Sequence, residues 1–191
     1  MEARKLKTTA DLFVVDDERV ELINGEIVRR PMARSEHALL QAGLVDEVGV
    51  FKRRQGPGGW WIMTGVSVRY GEHQCPTHDL AGWRKERFSG RPAGVMDVAP
   101  DWVCEITSPG HERKDVFQIF MLLQQHQVPY YWVVSPEDQT LIAYQWVDGY
   151  YHVVFSIECQ GSEQGAECMK SRIPPFEDVD IDLAYLFGVV S

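Results

Sequence analysis

The sequence has no run approaching the roughly 18 apolar residues that a membrane span requires, and its amino end, MEARKLKTTADLF, holds no apolar stretch of secretory-signal length. The expectation is a cytoplasmic protein with no membrane partner. Positive charge is scarce: 19 Lys and Arg stand against 28 Asp and Glu, a formal net charge of −9. Such a chain repels a polyanion unless a local basic patch or a bound cation reverses the field, which argues against simple electrostatic coating of DNA. The four cysteines, Cys75, Cys104, Cys159 and Cys168, include no CxxC pair, and without a secretory signal their even number implies no disulfide framework. All four are read as reduced thiols. No segment repeats at a fixed period, and only CQGSEQGAEC leans toward low complexity.

What is present is ordinary for a globular chain: 191 residues, 45% hydrophobic, 25% charged and 11% aromatic. That length matches one domain, residues 1–191, able to bury about 70% of its unfolded surface, and the composition is too apolar for disorder. TTADLFVV offers Thr8 or Thr9 as an N-cap for a short opening helix. Two β-favouring stretches flank Asn24-Gly25, a turn pair suited to a type I′ hairpin. From Ser35 a longer helix is expected, with Ala38, Leu39, Ala42, Val45, Val48 and Phe51 as its apolar stripe, ending before QGPGG.

GWWIMTGVSVRY reads as a strand, and a second strand is expected near Asp79 to Trp83. RKERFSGRPAGVMDV reads as an exposed loop and the best candidate for a mobile segment. DWVCEIT is short and apolar, as a central strand is, and Ser108-Pro109-Gly110 stops it. A helix then runs from about Arg113 to Gln127, with Val116, Ile119, Phe120 and Leu123 on one stripe. YYWVV, LIAYQWV and YYHVVFSI, parted by Pro136-Glu137-Asp138 and Asp148-Gly149, form a meander. A last strand near Met169 to Ile173 and a closing helix, IDLAYLF, complete an α/β (α+β) chain whose mixed central sheet is flanked by helices.

Asp79 and Glu105 stand out because each lies on an expected strand, where a carboxylate is costly to bury without a partner. A cation supplies one. Two carboxylates on neighbouring strands, with a backbone carbonyl such as that of Ile106, form the hard oxygen set that Mg²⁺ prefers. A lone carboxylate at a strand end is the plainer alternative, solvated or hydrogen-bonded.

VELINGEIV, SEHALL, THDLAGWRKERF, APDWVCEITSPGHERKDV, VPYYWVVSPEDQTLIAYQ and DLAYLF, in this order from about Thr9 to Phe187, resemble the Uma-two family. That family belongs to the PD-(D/E)XK, restriction-endonuclease-like superfamily. The resemblance implies a restriction-endonuclease-like fold and metal-dependent cleavage of DNA, with Mg²⁺ or Mn²⁺ as cofactor and a homodimer as the working form. By it, Asp79 matches the first strand carboxylate and Glu105 the acidic member of the E-x-K element, both binding metal. Glu36 and His37, at the family's recurrent Glu-His, open the first long helix, and Glu36 is implied as a further metal ligand. Their plainer reading is a helix N-terminus in which Glu36 complements the dipole.

The chain departs from that pattern in its basic group. Thr107 stands where the superfamily has lysine, and Ile119 stands where Uma-two proteins place theirs, four residues after Asp115. Lys114, with Arg113 beside it, is the candidate substitute; a solvated helix start is the plainer reading. His78 replaces the usual proline, and Gln127 and Tyr130 replace Gly and Glu. The competing expectation is therefore a nuclease fold that no longer cuts and serves as a binding or assembly module.

His73, Cys75 and His78 form an H-x-C-x-x-H cluster that a fourth ligand such as Asp79 would complete for Zn²⁺, although the spacing matches no common zinc module. A polar turn beside a buried thiol explains it more simply. His111 and His126 are expected to be solvated. In Trp60-Trp61 and Tyr150-Tyr151, neighbours point to opposite sheet faces, so one of each pair belongs to the core.

Overall fold

The computed structural model describes residues 5–17, 19–32, 34–107, 114–159 and 170–189. Thr8 caps α1 (Thr9–Phe13): its hydroxyl accepts from the Asp11 N–H while the Asp11 carboxylate accepts from the Thr8 N–H, a capping box. Strands β1 (Val20–Ile23) and β2 (Glu26–Arg29) form the expected hairpin, with φ of +50° at Asn24 and +74° at Gly25. Left-handed backbone at both turn positions matches the twist of the flanking strands.

After this hairpin come α2 (Ser35–Glu47), α3 (Gly49–Arg53), β3 (Trp60–Ser67), β4 (Thr77–Arg84), β5 (Trp102–Ile106) and α4 (Lys114–Gln125). The meander β6 (Tyr130–Ser135), β7 (Thr140–Val147) and β8 (Tyr150–Glu158) follows, then β9 (Lys170–Ser171), β10 (Ile181–Asp182) and α5 (Leu183–Phe187). Strands β3 to β8 lie in sequence order in one six-stranded sheet. All neighbours are antiparallel except β5 and β6, which run parallel because α4 carries the chain back between them. The result is the mixed α/β sheet expected from the pattern of strands and helices.

Each face of the sheet carries a core. On one, Leu40 and Leu44 of α2 pack against Trp60, Leu80, Trp102 and Trp132, closed by Phe176 and α5. Three of those tryptophan rings meet Phe176 at centroid distances of 4.9 to 5.7 Å. This crowding leaves no room for a side chain at position 82: a Cβ on Gly82 would lie 3.1 Å from both the Trp60 and Trp102 rings. On the other face, Trp83, Val103, Val128 and Tyr131 pack with Leu123 of α4. A third, small cluster of Leu12, Leu22 and Cys75 fastens the hairpin to the β3–β4 connection.

Several expectations are corrected. The first long helix breaks at Val48: the later part of the expected stripe, Val45, Val48 and Phe51, does meet the core, but Ala38, Leu39 and Ala42 are exposed and Leu40, Gly43 and Leu44 are buried in their place. Spacings of three slip around a 3.6-residue helix, so a stripe that meets the core at Val45 to Phe51 is off the covered face in the first turns. The segment Arg84 to Val98 is largely exposed but tethered: Met96 is buried, the Arg69 N–H donates to its carbonyl, and Trp83 Nε1 donates to Val98 O. Cys75 and Cys104 are free and buried, as read, but Cys159 is disulfide-bonded. Disulfide formation requires only that two thiols meet in space, which cysteine spacing does not report. His126 is half-buried against the Tyr70 ring rather than solvated. Arg113, His111, Cys168 and Met169 lie outside the described residues.

Candidate functional site

Strands β4 and β5 pair from Gly82↔Trp102 to Leu80↔Cys104, and Asp79 and Glu105 are the residues that adjoin the last of these pairs. Regular alternation would place His78 and Leu80 on one face. Instead Leu80 belongs to the first core, while Val66, the partner of His78 across β3, packs on the second. The reversal falls at Gly65, opposite Asp79, whose φ of +56° a glycine adopts at little cost. A local irregularity of this kind re-aims side chains, and here it turns consecutive residues toward two different sets of partners.

Asp79 is 6% exposed and surrounded by donors. Its Oδ2 accepts the Ile106 N–H at 2.9 Å. Its Oδ1 lies 3.2 Å from Arg30 Nη2 and 3.3 Å from His37 Nε2. Its backbone carbonyl accepts from Gln41 Nε2 at 2.7 Å. His37 and Gln41 are four residues apart on α2, so they share the helix face that meets the sheet. The bond to Asp79 raises the His37 pKa above the usual imidazole value, against the effect of burial. The other ring nitrogen, Nδ1, is buried and has no hydrogen-bond partner among the described residues.

Glu105 has a different environment. Its Oε1 lies 2.5 Å from Nδ1 of His78, which is fully buried, and His78 Nε2 lies 2.9 Å from the Tyr70 hydroxyl. Tyr70 also sets its ring edge-on to His78 at 5.8 Å. Burial, then the charges of Asp79 and Glu21, pushes the Glu105 carboxyl well above the usual carboxylate range. Burial likewise pushes His78 down to about 4. Low dielectric disfavours the charged form of each, so the Tyr70–His78–Glu105 chain tends to electrical neutrality.

A cleft of about 710 Å³ opens beside this site, with the β1–β2 hairpin, including Val28 and Arg30, on one side and Gln118 and Ile119 of α4 on the other. Of the residues singled out in the sequence, Asp79 and Glu105 are brought together. The Ile106 N–H serves Asp79, and its side chain belongs to the first core. Glu36 is exposed on the first turn of α2, one residue before the side chain that reaches Asp79. Lys114 opens α4, and its side chain lies outside the described atoms. The zinc cluster disperses: His73 Nδ1 bonds to Lys7 O, Cys75 sits in the small apolar cluster, and His78 faces Glu105. Among the described residues no group of three or more His, Cys, Asp or Glu is arranged to hold a metal ion.

Arg30, Gln41 and Tyr70 were not singled out by sequence reasoning. Gln41 had a weak signal, its i+4 spacing from His37. Arg30 is 49 residues from Asp79 and had none.

The mixed sheet flanked by helices is a nuclease-like α/β fold, and comparison with known proteins agrees. The model of the Uma2 family, described as "Putative restriction endonuclease", matches residues 9–168, and the chain belongs to that family. Its structure is similar to the crystal structure of a "putative nuclease belonging to DUF820" from Anabaena variabilis ATCC 29413. The TM-score is 0.75 at 21% identity, covering 95% of this chain and 97% of that one, a likeness of fold. No curated protein matches the sequence. No helix among the described residues is long and apolar enough to cross a membrane.

Proposed function

We propose that this chain is a cytoplasmic, metal-dependent endonuclease that hydrolyses phosphodiester bonds in DNA, with Asp79 and Glu105 as ligands to Mg²⁺ or Mn²⁺. The observation that carries the reading is a pair of acidic side chains on adjoining strands, near enough that the charge of Asp79 helps to hold the Glu105 carboxyl above its usual range, with Arg30 linking Asp79 to the neighbouring cleft. Their donor chemistry fits the group: both are hard oxygen donors, and Mg²⁺ takes one or two carboxylates while keeping several waters. The Ile106 carbonyl and Glu36 are the further candidate donors, and Lys114 is the candidate basic group in place of the absent lysine. When bound, such an ion polarises the scissile phosphate and lowers the pKa of an attacking water.

The protein's own part is to hold the ligands. The Ile106 N–H and His37 orient Asp79, while His78, itself held by Tyr70, orients Glu105. Such supporting bonds to ligand side chains set their direction before an ion arrives. The whole chain acts in this reading as one restriction-endonuclease-like domain, and a homodimer provides the two cuts that two strands need.

The test is cleavage of plasmid DNA with Mg²⁺ and with Mn²⁺. The expected result is nicking that chelation and Asp79→Ala both abolish, with sedimentation giving twice the monomer mass. Absence of cleavage by the wild type in either cation, with DNA binding retained, would replace this reading by that of an inactive nuclease-fold binding module. Thr107 and Ile119 favour that alternative, since neither carries charge. Gain of cleavage by Ile119→Lys over an inactive wild type would locate the defect there.

A further inference from the structure

We propose that Arg30 is the phosphate-binding cation of this cleft, gripping the scissile phosphodiester of a nucleic-acid strand; the inference rests on the nuclease reading and adds a residue to it. A phosphodiester brought up to this site meets the Asp79 carboxylate, which Arg30 contacts, and Glu21 and Glu26 line the adjoining cleft. Fixed negative charge there repels a phosphate unless positive charge stands at the contact point. Thr107, next but one to Glu105, and Ile119, on the far wall, supply none.

Arg30 has the geometry for the task. It follows the last residue of β2, lines the cleft and keeps 29% of its side chain exposed. Among the described residues Asp79 is the guanidinium's one hydrogen-bond partner, through Nη2 alone. A guanidinium carries five N–H donors in a planar fork that matches two phosphate oxygens, so most of its capacity is uncommitted. Arg29, beside it on the hairpin, is engaged with Asp17 at 3.1 Å. The hairpin thus holds at the cleft wall a cation that touches a carboxylate proposed to bind metal.

This arrangement makes Arg30 a competitor of a metal ion and an attractor of phosphate at once. The two roles predict opposite responses to its removal, which a merely structural role does not. The experiment compares wild type, Arg30→Gln, Arg30→Lys and Arg30→Gln combined with Ile119→Lys. Mn²⁺ binding is followed by electron paramagnetic resonance, and binding of a fluorescein-labelled DNA oligonucleotide by anisotropy across a salt series in EDTA.

Arg30→Gln is expected to bind Mn²⁺ as tightly as wild type or a few-fold more tightly. It should bind the oligonucleotide about tenfold more weakly, with the salt slope reduced by about one. Cleavage should fall by about 10²-fold, the typical effect of losing one stabilising donor at a developing charge. Arg30→Lys is expected to keep most of the binding, and Ile119→Lys to restore part of it from the opposite wall. Unchanged oligonucleotide affinity and salt slope in Arg30→Gln would overturn the proposal, as would loss of Mn²⁺ and oligonucleotide affinity together. The two readings fail separately. A wild type and Arg30→Gln that cut equally well remove the Arg30 role and leave the nuclease. A wild type that binds DNA through Arg30 yet never cuts removes the nuclease and leaves the phosphate site.

Discussion

Asp79 and Glu105 lie on neighbouring strands, and their surroundings have opposite electrical character. Around Asp79 the chain gathers Arg30, His37 and a backbone N–H, all donors, two of them able to carry positive charge. Around Glu105 it gathers a buried imidazole and a buried phenol, and burial works against ionisation of all three groups. Two carboxylates this close cannot both ionise cheaply, and the difference in surroundings decides which one bears the cost. An incoming divalent ion would relieve the Glu105 side most, because that carboxyl lacks a charged partner among the described residues. The paired histidines show the same division: His37 is raised by its carboxylate, and His78 is lowered by burial.

The comparison is most severely tested by cleavage. Asp79→Asn and Glu105→Gln are both expected to reduce Mg²⁺-dependent nicking to background, a loss of at least about 10³-fold, since each removes a charge that bears directly on the ion. Retained cutting by either variant, measured on supercoiled plasmid, would show that the two sides are not partners in one site.

Folding stability should separate the two sides by pH. In a Glu105→Gln background, which removes the carboxyl's own titration, His78 is the buried base that remains. Its folded pKa of about 4 lies below the unfolded value near 6.5, so its contribution is present above pH 6.5 and lost as pH falls toward 4. Urea unfolding should register a decline approaching about 3 kcal/mol over that window. His37 has the opposite sign. Its folded pKa is raised, so its contribution is complete below about pH 6.5 and is lost as pH rises through the folded value. His37→Gln should flatten the curve on that alkaline side alone.

At neutral pH the same variants should differ in size. Asp79→Asn weakens hydrogen bonds to charged donors and is expected to cost about 1–3 kcal/mol, whereas Glu105→Gln, a near-isostere of the neutral carboxyl, should cost less than about 1 kcal/mol. Equal losses in chemical denaturation would mean that Glu105 is ionised and paired after all. Tyr70→Phe is likewise a small change, expected to cost about 1 kcal/mol in the same measurement because His78 Nε2 loses its hydroxyl partner.

Local chemistry made some elements legible. Thr8 with Asp11 specifies a helix start, and Asn24-Gly25 a type I′ turn, within a few residues and without help from the rest of the chain. The alternating and apolar runs likewise announced the six strands of the main sheet. Asp79 and Glu105 were legible because a carboxylate on a buried strand demands a partner wherever the strand ends up. The partners themselves were not. His37 had its Glu-His motif, but Arg30 and Tyr70 looked like any surface arginine and strand tyrosine. The bonded state of Cys159 and the exposure of Leu39 were equally silent, since both depend on what lies across from them.

What the amino-acid sequence determined alone was the inventory of elements, the class of sheet and the presence of two carboxylates in need of a counter-charge. These follow from interactions within a few residues: backbone torsions at turns, capping, and the period of apolar side chains. The tertiary structure alone decided that the hairpin brings Arg30 to one carboxylate, while β4 brings His78, and the β3–β4 connection Tyr70, to the other. Burial, dielectric and charge proximity are properties of a place in space. Chemically similar acids 26 residues apart therefore acquire opposite environments only when the sheet closes around them.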